Sequence, residues 1–334
     1  MFPKGGFPHI LHCYGKASNI LLGLVKESQQ DSSTPHAIST DVYEHINRDI
    51  FVLAARLVYF ICDPTVYKQF LAYRETDAQT LLDFLQDLLD LLFFLAIKPV
   101  IFEALLRLSR ASGLHPRCFA LSGLQKVGQQ VTGGGFGNIW KGLVHGQGVS
   151  VKIMRIFEDS DIKAVLKEFS REAVIWRQLC HLNILPFFGI YHLENRLCLV
   201  SPWMENGNVM RYLAHQNPST DDRLSLILDV ALGLEYLHNK KVIHGDLKGL
   251  NILVTPLRRA YIADFGVSSI ANAMTMRFTH STVTAQAGTA RYQVQELFQV
   301  ENPARIHFSS DVYAFGCVCY EVGPTRLFFP QVVK

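Results

Sequence analysis

The chain is poor in charge and has no strong excess of either sign. Only 18% of its 334 residues are charged, and the formal net charge at pH 7 is +3. So small a net charge does not indicate a nucleic-acid or membrane surface as the principal partner. Hydrophobic residues make up 49% of the sequence, which favours a folded chain with a sizeable core over intrinsic disorder.

Paired cysteine motifs are also missing. The seven cysteines are odd in number and scattered, and none forms a Cys-x-x-Cys pair. The sequence therefore predicts neither a disulfide framework nor a zinc site. Reduced thiols are typical of a cytoplasmic or nuclear protein, and we expect one of these locations.

No segment is apolar over the roughly 20 residues that a membrane helix needs. The most hydrophobic segment, Leu88–Leu106, is interrupted by Asp90, Lys98, Pro99 and Glu103. The first ten residues carry a lysine, two glycines and two prolines before any apolar run, which is untypical of a signal peptide. We therefore expect a soluble protein without a membrane span.

The pattern changes twice along the chain. Residues 1–39 are weakly patterned, and we expect a poorly ordered lead-in. Residues 40–120 show helical periodicity, which predicts a bundle of three or four helices. Within it, Asp63-Pro64 predicts a helix start, Thr76 with Gln79 predicts a capping box, and Gly113 predicts a helix end.

One predicted helix of this region carries a polar stripe among leucines. Its polar residues return every three or four positions: Asp83, Gln86, Asp87 and Asp90. Such a stripe is typical either of a solvated helix face or of a docking surface for a protein partner, and the solvated face is the favoured interpretation.

A short stretch, Val242–Val254, concentrates the polar chemistry of the chain. Asp246, Lys248 and Asn251 lie there between two apolar runs. A carboxylate, an ammonium and a carboxamide on a loop held between buried strands suit phosphoryl transfer, where catalysis depends mainly on positioning and charge stabilisation. The stretch resembles the protein-kinase catalytic loop His-Arg-Asp-Leu-Lys-x-x-Asn, with Gly245 at the arginine position.

A glycine-rich segment lies between two predicted strands near residue 135. Glycines let the backbone fold closely over phosphates and present N–H groups to their oxygens. A hairpin turn without a ligand is the alternative for this motif in isolation. It is similar to the kinase pattern Gly-x-Gly-x-x-Gly-x-Val, and the resemblance implies nucleotide contacts at Thr132, Gly133, Gly134, Gly135, Phe136 and Gly137.

A lysine and a glutamate follow at a spacing that kinases use. Lys152 ends a predicted apolar strand, and Glu172 lies twenty residues later on a predicted helix. A lone lysine in this position would be expected to extend its ammonium into solvent. In protein kinases such a pair aims the lysine at the α- and β-phosphates of ATP, so the resemblance implies catalytic roles for both residues.

The segment Ser201–Gly207 joins the predicted sheet to a helical region. Adenine requires an apolar slot beside free backbone hydrogen-bonding groups. The resemblance implies Ser201 at the back of that slot, with Trp203 and Met204 contributing the backbone. The side chains implied for the faces of the ring are Ile139, Ser150 and Leu253.

The same resemblance assigns roles around the transferred phosphoryl group. Asp246 accepts or orients the substrate hydroxyl, and Lys248 balances charge on the phosphoryl group. Asn251 and Asp264, of Asp264-Phe265-Gly266, bind Mg²⁺. Asp311 braces the backbone of the catalytic loop.

Lys248 and the run Gly288–Tyr292 most resemble the tyrosine-kinase-like group of serine/threonine kinases. The implied fold is α+β and two-lobed, with a β-rich N-lobe over 124–201 and a helical C-lobe over 205–334. The implied function is transfer of the γ-phosphate of ATP, with Mg²⁺, to Ser/Thr hydroxyls of protein substrates. No nucleic-acid partner is expected.

Three departures from the kinase pattern stand out. Gly245 replaces the arginine that reads a phosphate on the activation segment, so activity is expected to depend little on phosphorylation of that segment. Val294-Gln295-Glu296 stands where kinases have Ala-Pro-Glu. Thirteen residues follow Glu321, so we expect a C-lobe without its last helices and with Phe315 and Tyr320 exposed.

These departures keep a second hypothesis open. A nucleotide-binding pseudokinase or scaffold, acting through a protein partner at the helical region, would retain the fold without turnover. Incorporation of labelled phosphate distinguishes the two hypotheses.

Overall fold

The computed structural model divides the chain into two compact units, Met1–Cys118 and Phe119–Lys334. The structure describes Gly15, Tyr292 and residues 40–91, 96–134, 137–154, 162–193, 196–266, 268–270 and 307–324. The predicted lead-in, Gly15 apart, lies outside the described residues, as does Val294-Gln295-Glu296.

The first unit contains four described α-helices with short connections, as predicted. They are α1 (Thr40–Cys62), α2 (Pro64–Ala72), α3 (Glu75–Asp90) and α4 (Lys98–Ser112). Leucines of α3 and α4 contribute half of the buried hydrophobic residues described in this unit, because each helix turns one apolar face inward. The fully buried leucines of these two helices are Leu81, Leu82, Leu85, Leu88, Leu105 and Leu108.

Two of the three predicted helix signals are confirmed. Asp63 Oδ1 accepts hydrogen bonds from the N–H groups of Thr65 (2.8 Å) and Val66 (3.1 Å), and Pro64 is the first helical residue. Helix α4 ends at Gly113, which has a φ of +74°. A left-handed residue at this position favours glycine because it has no Cβ.

The predicted capping box of α3 is wrong. Arg74 is the N-cap and provides no side-chain cap, and Thr76 lies inside the first turn. The Gln79 side chain instead donates to the carbonyl of His115 (2.9 Å) and to Asp83 (3.1 Å). A tertiary acceptor has therefore replaced the local partner that the pattern predicted.

The solvated-face interpretation of the polar stripe is also wrong for Asp83. Its carboxylate accepts from the backbone N–H of Arg117 (2.7 Å) and from the guanidinium of the same residue (2.6 Å), and its side chain is 12% exposed. Asp87 and Asp90 are exposed, whereas Gln86 is buried. Asp83 thus fixes the segment that follows α4 rather than facing water.

Within the described residues, no single helix has both the length and the apolar character needed to cross a membrane. Ile50–Cys62 and Pro64–Ala72 meet those requirements only together, across a 105° bend.

The second unit begins with a five-stranded antiparallel sheet of order β1-β2-β3-β5-β4. Strands β1 (Leu124–Gly134), β2 (Gly137–Val144) and β3 (Gln147–Ile153) precede helix α5 (Ile162–Arg177). Strands β4 (Gly189–Leu193) and β5 (Arg196–Pro202) follow it. The two strands around the glycine-rich segment, the strand of Lys152 and the helix of Glu172 were predicted.

Alternation along β3 places Lys152 on the face opposite the sheet core. Val149, Val151 and Ile153 are buried in the core of this sheet. Because successive side chains of a strand point to opposite faces, Ser150 and Lys152 share the other face.

The rest of the second unit is mainly helical. Helices α6 (Val209–Gln216) and α7 (Thr220–Asn239) are followed by four short strands and helix α8 (Phe308–Val322). The strands form two antiparallel pairs, β6 (Val242–Ile243) with β9 (Ser269–Ile270) and β7 (Ile252–Val254) with β8 (Ala260–Ile262). These pairs hold the ends of the two loops that carry Asp246 and Asp264.

The expectation of exposed apolar side chains on α8 is confirmed for Tyr320 and wrong for Phe315. Tyr320 is 62% exposed, whereas Phe315 is half-buried. Phe315 lies one helical turn after the buried Asp311, so it borders the inward face of the helix.

Candidate active site

The loop between β6 and β7 holds Asp246 in a buried position. Oδ2 of Asp246 accepts from Lys248 Nζ at 2.7 Å and from Asn251 Nδ2 at 3.2 Å. Asn251 Nδ2 also donates to the backbone carbonyl of Asp246 at 2.8 Å. The other carboxylate oxygen, Oδ1, is buried and has no hydrogen-bond partner among the described residues. A buried acceptor without a partner can accept a hydrogen bond from the hydroxyl of a bound substrate.

Asp311 on α8 fixes the backbone of this loop by hydrogen bonds, as the resemblance implied. Its carboxylate accepts from the N–H groups of His244 (2.8 Å) and Gly245 (2.9 Å), and His238 Nε2 lies 3.0 Å from it. Gly245 has a φ of +78°, a conformation that glycine adopts without strain. The side chain of Asp311 is 1% exposed, so these contacts replace water entirely.

Replacing Asp311 by asparagine is expected to lower the free energy of unfolding by about 2–4 kcal/mol, because one carboxamide oxygen cannot replace both carboxylate oxygens, which accept from His244 and Gly245. Urea unfolding of the full chain measures the change. Asp221→Asn, at an exposed aspartate in the first turn of α7, is the matched control. Equal unfolding midpoints for Asp311→Asn and the unmodified chain would contradict the role assigned to Asp311.

Lys152 bridges two carboxylates that are distant in sequence. Its Nζ lies 2.8 Å from Glu172 Oε1 on α5 and 2.8 Å from Asp264 Oδ1. Burial alone would lower the pKa of the Lys152 ammonium, but the two carboxylates outweigh burial and hold that pKa above its ordinary value. Three side chains from a strand, a helix and a loop therefore form one charged centre.

The pKa values of the two carboxylates of this centre shift in opposite directions. Burial raises the pKa of Glu172, although Lys152 opposes the shift. Burial also disfavours the charged form of Asp264, yet Lys152, His244 and Lys248 together keep its pKa below its ordinary value. The loop of Asp246 and Lys248 thus acts on Asp264 electrostatically.

Backbone contacts join the loops of Asp246 and Asp264. The N–H of Ala263 donates to the carbonyl of Asn251 at 2.8 Å, and His244 Nε2 lies 3.1 Å from the carbonyl of Ala263. Asp264 itself has a φ of +69°, an uncommon value for a residue with a side chain. Strain of this kind persists only where the surroundings impose it, and it is frequent at functional sites.

Phe265 secures the same segment by packing. It is fully buried, with its ring centroid 5.7 Å from that of Trp176 on α5 and 5.5 Å from that of His244. A Cβ on Gly266 would lie 3.3 Å from Glu172 Oε2, a close approach. The helix of Glu172 and the segment of Asp264 are therefore in direct contact.

The glycine-rich segment includes the end of β1 and the start of β2. Thr132 pairs with Ile139, Gly133 with Asn138 and Gly134 with Gly137. Gly135 and Phe136 lie outside the described residues. Ile139 also pairs with Lys152 across β2 and β3, so the glycine-rich hairpin adjoins the charged centre.

The predicted adenine-site residues lie on neighbouring elements. Ser150 of β3 pairs with Ser201 of β5, and the N–H of Trp203 donates to the carbonyl of Gly148 at 3.1 Å. Met204 is buried. Beyond it, Leu253 forms an isolated bridge with Asn208. Ile139, Ser150 and Ser201 thus lie in the five-stranded sheet, Trp203 and Met204 follow β5, and Leu253 lies on β7.

Sequence reasoning missed two contributors to this region. Arg171 lies next to Glu172 but is buried, and its guanidinium bonds the carbonyl of Ser268. Lys141 on β2 bonds Glu205 at 2.8 Å and lies 5.1 Å from the ring centroid of Trp203. Neither contact has a local sequence signal, because each joins residues more than sixty positions apart.

The family model described as "Protein tyrosine and serine/threonine kinase" matches residues 125–325. The chain belongs to the protein kinase family. Among curated relatives of this kinase, the serine/threonine-protein kinase STY46 of Arabidopsis thaliana is 32% identical over 200 residues, which is 59% of the chain. STY17 of the same plant is 30% identical over 200 residues, again 59% of the chain. These relatives support its place in the tyrosine-kinase-like group.

A putative leucine-rich repeat receptor-like serine/threonine-protein kinase of Arabidopsis thaliana is 33% identical over 195 residues, or 57% of the chain. The matches cover 33% of STY46, 33% of STY17 and 21% of the receptor-like kinase. The chain therefore spans a third or less of the length of these relatives.

The two-lobed α+β fold class implied by the resemblance is confirmed by the match to the kinase family model.

Proposed function

We propose that this kinase transfers the γ-phosphate of ATP to serine or threonine hydroxyls of protein substrates, with Mg²⁺. The observation that carries the proposal is the charged centre, in which Lys152 Nζ contacts both Glu172 and Asp264 at 2.8 Å. An ammonium fixed between two carboxylates cannot rotate away, so it presents its remaining donor direction to a phosphate at little entropic cost.

The nucleotide would lie between the glycine-rich hairpin and the segment after β5. Backbone N–H groups of the hairpin would bond the phosphates, and the backbone at Trp203 and Met204 would bond adenine. Ser150 and Lys152 share one face of β3, which supports a nucleotide lying across that face.

The residues proposed to hold Mg²⁺ are Asn251 and Asp264. Asn251 uses its amide nitrogen for two bonds to Asp246, which leaves the amide oxygen to act as an acceptor. Oxygen donors of this kind fit Mg²⁺, which proteins usually bind through one or two side chains together with substrate phosphates. When bound, the ion would neutralise charge that develops on the phosphates.

Asp246 would orient the substrate hydroxyl through its open oxygen, while Lys248, held on the other oxygen, would balance charge on the moving phosphoryl group. Specificity for serine and threonine is supported by the names of the curated relatives, because STY46, STY17 and the receptor-like kinase are each described as a serine/threonine-protein kinase.

The direct test is transfer of labelled phosphate from ATP to a generic basic protein, followed by separation of the labelled amino acids. We expect label on serine and threonine, with Mg²⁺ present and not after chelation by EDTA. Restoring Mg²⁺ to the chelated sample should restore transfer. Label on tyrosine alone, or equal transfer in EDTA, would contradict the proposed substrate class or the proposed metal.

A nucleotide-binding scaffold is the second candidate, favoured by one feature of the helical unit. Helix α1 exposes apolar side chains along one side, at Phe51, Val52, Ala55 and Tyr59. Exposed apolar rows of this kind often mark protein interaction sites. An increase in melting temperature with ATP and Mg²⁺, without any transfer of label, would favour this candidate over the enzyme.

The proposed domain layout assigns residues 40–120 to the helical region and residues 124–334 to the kinase domain. Within the latter, the N-lobe would span 124–201 and the C-lobe would begin at 205. A cytoplasmic or nuclear location remains the prediction from cysteine usage.

A further inference from the structure

Helix α5 carries a second buried charge beside Glu172. Arg171 is 3% exposed, and its guanidinium donates to the carbonyl of Ser268, four residues after Asp264. The same guanidinium bonds Glu168 Oε2, one turn earlier on the helix, at 3.0 Å. A buried guanidinium is costly unless its bonds are specific, so this placement requires an explanation.

Ser268 connects that guanidinium to both loops of the active site. Its N–H donates to the carbonyl of Phe265 at 3.1 Å and closes a turn directly after Asp264. Its hydroxyl donates to the carbonyl of His244 at 3.2 Å, and Ser268 is fully buried. Ser269 and Ile270 then pair with β6, the strand that leads into the loop of Asp246. Ser268 is thus bonded to α5, to the segment of Asp264 and to the loop of Asp246.

We infer that Arg171 is a positioning residue, which fixes the turn after Asp264 and so keeps that carboxylate beside Lys152. The inference rests on the proposed function, because it concerns the placement of a proposed metal ligand. Arg171 does not touch the reacting atoms. It acts through the carbonyl of Ser268, while the neighbouring Glu172 holds Lys152 from the same helix.

The bond from Arg171 to the carbonyl of Ser268, called the brace below, is relevant to the missing arginine at Gly245. Kinases commonly use an arginine at that position to read a phosphate on the activation segment, and this chain has none there. Because Arg171 links α5 to the start of the segment through a backbone carbonyl, its bond needs no phosphate. The hydroxyl side chains of the activation segment, including Thr279, Ser281, Thr282 and Thr284, lie outside the described residues.

The test compares Arg171→Met with the unmodified chain, and Arg177→Met is the matched control at an exposed arginine of the same helix. Methionine keeps the packing of the stem and loses the charged hydrogen bonds to Ser268 and Glu168. We expect kcat to fall by about tenfold to a hundredfold. Affinity for ADP in EDTA should change by less than about twofold, because adenine is bound elsewhere, while the tightening produced by Mg²⁺ should be lost.

Arg171→Lys separates charge from geometry. Lysine keeps the charge but lacks the planar fork that reaches Ser268 and Glu168 together. We expect it to recover less than half of the lost kcat. Full recovery by lysine would overturn the inference, because general charge near Glu172 would then suffice.

Amide hydrogen exchange supplies a readout that does not depend on activity. In Arg171→Met, exchange in residues 268–270 should accelerate by about tenfold or more, and exchange in β3 should not change. If the unmodified chain binds no nucleotide, the proposed function fails, and the exchange experiment still decides whether the brace exists. Unchanged exchange in residues 268–270 would overturn the inference.

Phosphatase treatment distinguishes the brace from a phosphate receiver. Both proteins are dephosphorylated before the kinetic measurement. We expect the unmodified chain to retain its kcat and Arg171→Met to retain its defect. A defect that disappears after dephosphorylation would show that Arg171 acts on a phosphate, and the inference would be wrong.

Discussion

Replacing Asp246 by asparagine is expected to lower kcat by about 10²–10⁴-fold and to leave the affinity for ADP nearly unchanged. The two carboxylate oxygens of Asp246 differ in their partners. Oδ2 accepts from Lys248 and Asn251, while Oδ1 is buried and has no hydrogen-bond partner among the described residues. Asparagine has nearly the same shape, yet it cannot accept a proton from a hydroxyl and places an amide where an acceptor is required. The loss should therefore fall on the chemical step.

Steady-state transfer and nucleotide affinity are measured on the same preparation. Asp221→Asn, at an exposed aspartate, controls for the loss of one carboxylate and should retain full activity. Urea unfolding of Asp246→Asn separates a loss of folded protein from a loss in the chemical step. Equal incorporation of phosphate by Asp246→Asn and the unmodified chain would remove the enzyme hypothesis.

Replacing Lys152 by methionine should reduce both activity and stability. Without the ammonium, Glu172 and Asp264 remain close together with no cation between them. Removing one partner of a buried charge cluster typically costs about 3–5 kcal/mol of unfolding free energy, and one lost phosphate-binding cation costs about 10²–10³-fold in kcat. We expect losses of this size by urea unfolding and by kinetics.

A second substitution tests whether repulsion causes the loss of stability. Glu172→Gln in the Lys152→Met background should recover part of the unfolding free energy, because one of the two carboxylates is then neutral. Activity should stay low, since the phosphate would still lack its cation. Lys163→Met, at an exposed lysine of α5, is the control. A double variant less stable than Lys152→Met would contradict the proposed repulsion.

The exposure of α1 and the brace at Arg171 illustrate what local patterns miss. The helix α1 was predicted from periodicity alone, but which of its sides is covered depends on α2 and α4, which pack against it. The guanidinium of Arg171 reaches a carbonyl 97 positions away. A local pattern cannot encode a contact of that range, because it exists only once both segments have folded.

Asp83 shows the same limit within the helical unit. Its position in a polar stripe predicted a solvated face, whereas the structure gives it the backbone N–H of Arg117, 34 residues away. The stripe had identified the polar side of α3 correctly. It could not identify the loop that covers part of that side.

The amino-acid sequence by itself determined the order of the elements and the identity of the reactive side chains. Alternation placed Lys152 opposite the sheet core, helical periodicity placed Glu172 on α5, and apolar runs bounded the loop of Asp246. These features are local, so neighbouring residues suffice to encode them.

Only the tertiary structure decided how those side chains meet. The bridge from Lys152 to Asp264 spans 112 positions, and the bonds from Asp311 to the catalytic loop span 66 and 67. Each depends on two segments that pack together only when the core forms, because burial both removes competing water and fixes the distance between the charges.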